Sequence, residues 1–154
     1  MAQRKLSAIL AADVVGFSTQ MGENEERTLK TLKTCREIIS THVSEHQGRI
    51  FGSAGDSVIA EFSSPVEAVR CAVAFQGTLR DRNASVAEEK RMSFRVGINL
   101  GDVISEDDNL YGDGVNVAAR LEAISEPGGI CISGTTYDHI KNKLMLEFGE
   151  LGEQ

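Results

Sequence analysis

The chain opens with an apolar, β-branched run over residues 6–15, broken near its end by Asp13. Such a run predicts a buried strand. The period then changes: Leu29, Leu32, Ile39 and Val43 recur at helical spacing between charged residues, predicting an amphipathic helix over 28–46 that stops at Gly48. Residues 50–62, IFGSAGDSVIAEF, are two short apolar runs around Gly52-Ser53-Ala54-Gly55, and they predict a hairpin. Ser64-Pro65-Val66-Glu67 has the form of a helix start, with Ser64 as cap, Pro65 in the first helical position and Glu67 completing a capping box. That helix carries Ala68, Val69, Ala72, Val73 and Phe75 inward and turns polar over 80–90.

Residues 92–104, MSFRVGINLGDVI, predict a strand bent at Gly97 and Gly101. A glycine-punctuated loop, DDNLYGDG, leads to a helix over 115–125, which Pro127-Gly128-Gly129 ends. A short strand (ICIS), a helix over 135–143 and a final strand complete the pattern. The order β-α-β-β-α-β is the split βαβ arrangement. The expected fold class is therefore α+β: a ferredoxin-like βαββαβ core with an additional C-terminal βαβ-type extension, its antiparallel or mixed sheet flanked by helices.

A length of 154 residues suits one domain, 1–154, burying roughly two-thirds of its unfolded surface. The closing LEFGELGEQ has no clear terminal element, and the chain is expected to be a fragment of a longer one. The basic start followed by apolar residues resembles a signal peptide, but Asp13 interrupts it and a patterned domain follows, so it is assigned to the first strand. No apolar run reaches the ~18–20 residues of a membrane helix. A formal charge of −7 opposes non-specific nucleic-acid binding. Cys35, Cys71 and Cys131 are far apart and in apolar contexts, as expected of buried free thiols in a reducing cytoplasm.

Aspartate disfavours strand interiors, so Asp13 and Asp56 call for explanation. With the first strand beside the hairpin, both carboxylates can meet at one sheet edge and offer hard oxygen ligands suited to Mg²⁺. Taken singly, each is more simply a cap or a turn residue. Gly16, Phe17 and Ser18 follow Asp13 after Val14 and Val15 and can present successive N–H groups to an anion. Asn116 and Arg120 stand four apart on one helix face, where an amide and a guanidinium can orient a ribose and clamp a phosphate. On spacing alone, Arg120 pairing with a surface carboxylate explains as much. His42 and His46 are four apart without a third ligand and are assigned to the surface; His139 and Tyr137 are helix and packing residues. SEDD, 105–108, is a solvated loop.

LAADVVGFS, GRIFGSAGDSVIAEF, FRVGINLGDV, YGDGVNVAARLE and EPGGICIS occur in that order along nearly the whole chain. In this ordered set the chain resembles the catalytic domain of class III adenylate and guanylate cyclases, particularly the bacterial type. The resemblance implies conversion of a nucleoside triphosphate, ATP before GTP, to its 3′,5′-cyclic monophosphate and pyrophosphate in intracellular signalling. It implies two Mg²⁺ or Mn²⁺ ions on Asp13, Asp56 and the Val14 carbonyl, with Asn116 on the ribose and Arg120 on the transferring phosphate. It also implies a homodimer, with metal aspartates from one protomer and Asn116 and Arg120 from the other. Small residues before Asp56, Gly52 and Gly55 among them, suit close approach by the nucleotide. The family's purine-reading lysine and aspartate fall at Gly52 and Asn109 here. Base choice is therefore left open, as is an alternative role as a weakly active or inactive module that binds nucleotide or dimerises.

Overall fold

The computed structural model describes residues 2–53 and 55–145. Strand β1 (Gln3–Val14) runs antiparallel to β3 (Val58–Phe62) on one side and to β4 (Phe94–Glu106) on the other. β2 (Arg49–Gly52) extends one edge and β5 (Asn109–Tyr111) the other, giving the order β2-β3-β1-β4-β5. β6 (Ile130–Ile132) pairs in parallel with β4 near its start. Helices α1 (Phe17–Glu23) and α2 (Glu25–Glu45) connect β1 to β2, and α3 (Pro65–Ser85) connects β3 to β4. α4 (Asp113–Ile124) precedes β6, and α5 (Gly134–Ile140) follows it. The fold class is the α+β arrangement that the pattern predicts.

Alternation along the strands divides the core in two. Ala8, Leu10 and Ala12 of β1, with Val58, Ala60 and Phe62 of β3, face Leu32, Ile39 and Val43 of α2 and Val69 and Phe75 of α3. Phe62, Phe75 and Phe94 are at most 1% exposed, and each contributes roughly 1.5–3 kcal/mol through burial. The intervening positions Ile9 and Ala11 join a smaller cluster with Val103, Leu110 and Ala118, half-covered by Phe51, Ile59 and Val115. By the same period of two, Asp13 falls on this second face, under α4.

The boundaries show what the pattern misses. Ser64 does cap α3, accepting from the Glu67 N–H at 3.2 Å, but the helix ends at Ser85 and a separate 3₁₀ turn spans Glu88–Lys90. α2 starts earlier than predicted because the Asn24 side chain accepts from the Arg27 N–H. It ends at Glu45, and Gln47, not Gly48, holds the left-handed φ of 60°. Gly48 is needed for another reason: a Cβ there would lie 2.4 Å from the Phe62 ring. Helix α1 carries no buried residue, so no apolar period announces it.

Likewise, the segment 107–114 is not all loop. Asp107 and Asp108, at φ 53° and 63°, form a two-residue turn between the paired Glu106 and Asn109. Positive φ at both central residues is the geometry of a type I′ hairpin, which aspartate tolerates. Gly97 is less a bend than a contact: a Cβ would lie 2.3 Å from the Glu122 nitrogen and 2.4 Å from the Ala118 carbonyl oxygen, so glycine lets α4 lie directly on β4. The sheet curls until its edge strands β2 and β5 touch, and Arg49 donates to the Asp108 carbonyl at 2.8 Å. α5 stops at Ile140, and the predicted final strand lies outside the described residues.

Candidate active site

The last residues of β1 and the turn entering β3 put Asp13 and Asp56 together. Val14 N–H donates to Asp13 Oδ1 at 2.9 Å and to Asp56 Oδ2 at 3.2 Å, so one backbone donor holds both carboxylates. Arg36 of α2 steadies the turn from behind, donating to the carbonyls of Gly55 and Ser57, on either side of Asp56. Gly55 supplies the left-handed φ of 59° that this turn requires.

Burial raises the Asp13 carboxyl most, with the hydrogen bond and charge of Asp56 adding to it and Glu122 contributing further, against the Val14 N–H; it is pushed up to about 7. Glu122 of α4 is also raised, by burial first, although its hydrogen bond with Asp13 and the charge of Arg95 oppose this. Three carboxyl groups thus crowd one site on the α4 face. Arg95 beside them donates to the Ser125 carbonyl at 2.9 Å. Sequence reasoning missed Glu122, Arg95 and Arg36, whose contacts span sequence separations that periodicity cannot register.

Among the described residues no cluster of three or more His, Cys, Asp or Glu is arranged to hold a metal by itself. The Asp13–Asp56 pair nevertheless fits a hard divalent cation: two convergent oxygen donors whose mutual repulsion a cation would relieve, with water and phosphate oxygens left to fill the shell. Gly16 sits at φ 66° as the N-terminal cap of α1. Gly16, Phe17 and Ser18 therefore form a helix start whose first N–H groups lack intrahelical partners, while Phe17 also packs against the main core.

Asn116 and Arg120 are exposed on α4, and neither side chain has a hydrogen bond or ion pair with any described residue. Among the described residues Arg120 thus has no surface ion pair. Gly52 ends β2, and among the described residues a Cβ there would meet only Ile59, at 3.8 Å, an ordinary contact. Asn109 opens β5 and accepts from the Leu110 N–H. β2 and β5, which carry these two positions, are in contact across the curl of the sheet. His42 and His46 serve helix-surface contacts, with Thr78 and with the His42 carbonyl respectively.

The family model described as the adenylate and guanylate cyclase catalytic domain matches residues 2–153. The chain belongs to that family. This cyclase domain is 44% identical to "Putative adenylate cyclase 3" of Rhizobium meliloti over 97% of its own length, but spans only 26% of that relative. The adenylate/guanylate cyclase/hydrolase structure from Silicibacter pomeroyi superposes with a TM-score of 0.93 at 41% identity, covering 100% of this chain and 90% of that one. The adenylyl cyclase CyaB from P. aeruginosa gives 0.82 at 28% identity, covering 94% and 85%. Among the described residues no helix is long and apolar enough to cross a membrane.

Proposed function

We propose that this domain converts ATP, in preference to GTP, to the 3′,5′-cyclic monophosphate with release of pyrophosphate, in the cytoplasm and for signalling. The observation that carries this reading is the convergence of Asp13 and Asp56 on one backbone N–H, on the face whose helix α4 carries Asn116 and Arg120, unpaired among the described residues. Asp13, Asp56 and the Val14 carbonyl would hold two Mg²⁺ or Mn²⁺ ions. Bound there, such ions supply charge neutralisation that lets a hydroxyl approach a polyanion.

The chain's own groups do the rest. Asn116 orients the ribose so that its 3′-oxygen faces the α-phosphorus. A bond forms between them as the bond from the α-phosphorus to the bridging oxygen breaks, pyrophosphate departs with that oxygen, and the hydroxyl proton passes to water. Arg120 offers its fork of donors to the charge growing on the α-phosphate. The N–H groups of Phe17 and Ser18 meet the phosphate chain at the α1 terminus. Asn116 and Arg120 are exposed and paired with no described residue; each site takes them from a second copy, so the working unit is a homodimer.

Turnover of ATP and of GTP with Mn²⁺, assayed beside Asp56→Asn, tests this. Cyclic product should form with the unmutated protein alone, and no product from either nucleotide overturns the proposal. A second reading, a nucleotide-binding or dimerising module with little turnover, is favoured by the absence of any side chain at Gly52. It predicts saturable ATP binding without product, and activity gained on Gly52→Lys with Asn109→Asp.

A further inference from the structure

A separate cavity of about 390 Å³ opens between α2, the end of α3 and the 3₁₀ turn Glu88–Lys90. Its lining includes Arg27 and Lys30 from α2, Arg82 from α3, Lys90 from the 3₁₀ turn and the hydroxyl-bearing Thr31. Glu26 is the one carboxylate among the lining residues. In a chain of net charge −7, four cations converging from three elements are not a product of composition.

These cations are also poorly matched within the protein. Lys30, Arg82 and Lys90 have no ion pair among the described residues, and Arg27 reaches Glu23 only at 4.0 Å. Arg27 Nε is buried without a hydrogen-bond partner. Arg82 Nη1 donates to the Lys90 carbonyl at 3.0 Å, which ties the two cationic walls together. Like charges gathered around a concavity repel one another unless an anion offsets them. Donors on opposite walls suit an anion with charge at several points rather than one phosphate group.

We propose that this cavity binds a condensed-phosphate anion, as inorganic pyrophosphate or triphosphate or as the phosphate tail of a nucleotide. The site also has a physical route to the candidate active site. α2, which supplies Arg27 and Lys30, carries Arg36 further along, and Arg36 holds the carbonyls flanking Asp56. On the other wall, the chain runs from Lys90 to Ser93, whose carbonyl accepts from the Val15 N–H beside Asp13. Occupancy would therefore bias the elements that place both aspartates; this coupling rests on the proposed function, whereas the binding does not.

Calorimetric titration with inorganic triphosphate, in EDTA so that no divalent cation recruits the anion to the aspartates, tests the binding directly. Saturable binding is expected, weakening with added salt. Lys30→Ala with Lys90→Ala, both exposed positions, should weaken it about tenfold or more, while Arg120→Ala leaves it unchanged. Titration with ATP under the same conditions separates the sources: equal or tighter affinity assigns the site to nucleotide tails, weaker affinity to the inorganic anion. No saturable binding, binding indifferent to the lysine pair, or binding lost in Arg120→Ala overturns the proposal. A null turnover assay leaves this titration standing, so the two readings fail separately.

Discussion

The two faces of the sheet come from the same strands by the same alternation, yet they are finished to different degrees. Under α2 and α3, side chains from β1, β3 and β4 meet in a dry core. On the opposite face α4 provides most of the cover, and Phe51, Ile59 and Val115 remain only partly buried. Asp13 lies on this second face, and the helix that covers it carries Asn116, Arg120 and Glu122. One face is completed by the chain's own helices and holds its stability; the other keeps polar groups within reach of a ligand and, on our proposal, of a second copy.

The widest separation between the faces should appear in activity. Asp13→Asn or Asp56→Asn should lower turnover about 10³-fold, and Arg120→Ala about 10²- to 10³-fold, each with little loss of stability. Mixing Asp56→Asn with Arg120→Ala should then restore product, because some mixed dimers keep one intact site. Failure to restore it would mean that each chain serves its own aspartates.

Stability should show the reverse bias. Phe75→Ala on the closed face should cost about 3–5 kcal/mol, and Ile59→Ala on the open face no more than about 2 kcal/mol, as measured by urea unfolding. Equal costs would show the open face to be as well packed as the closed one. A glycine pair sharpens the point: Gly97→Ala meets α4 backbone and should cost about 2–3 kcal/mol, whereas Gly52→Ala should stay within about 0.5 kcal/mol.

A smaller effect concerns pH. Asp13 is raised from 3.8 to about 7, so the folded state holds a proton that the unfolded chain releases. The stabilisation this brings is complete below 3.8 and is lost as pH rises through about 7. Melting of the metal-free protein should therefore fall more steeply with rising pH in the unmutated protein than in Asp56→Asn, which removes the neighbouring charge. Parallel melting curves would show that the two carboxyls do not interact. Least disruptive of all should be Gly52→Lys: the Ile59 contact leaves room for it, stability should hardly change, and the ratio of ATP to GTP turnover should rise. An unaltered ratio would remove position 52 from base recognition.

Much of this was legible in residue order. A continuous apolar, β-branched run identified β1, two apolar runs around a glycine turn identified β2 and β3, helical spacing identified α2 and α3, and Ser64-Pro65-Val66-Glu67 located a helix start that the structure contains. α1 escaped because none of its residues is fully buried, and β5 because its hairpin turn is Asp107-Asp108, without the glycine that usually marks such a turn. At the site, the two aspartates and the Asn116–Arg120 pair were visible as motifs. Their surroundings were not: Glu122 meets an aspartate more than a hundred positions away, and Arg36 reaches the Asp56 turn from another element.

The sequence alone determined the local terms: which segments alternate, which turn with a helix, where a cap or left-handed residue is affordable, and which side chains can carry the chemistry. Those depend on neighbours a few bonds or one helical turn away. Only the tertiary structure decided that Gly97 is a contact with α4 and Gly48 a seat for Phe62, that Asp13 keeps company with Glu122, and that the curl brings β2 to β5. These are set by strand register and close packing, where distant positions must fit within tenths of an ångström and no local pattern records the partner.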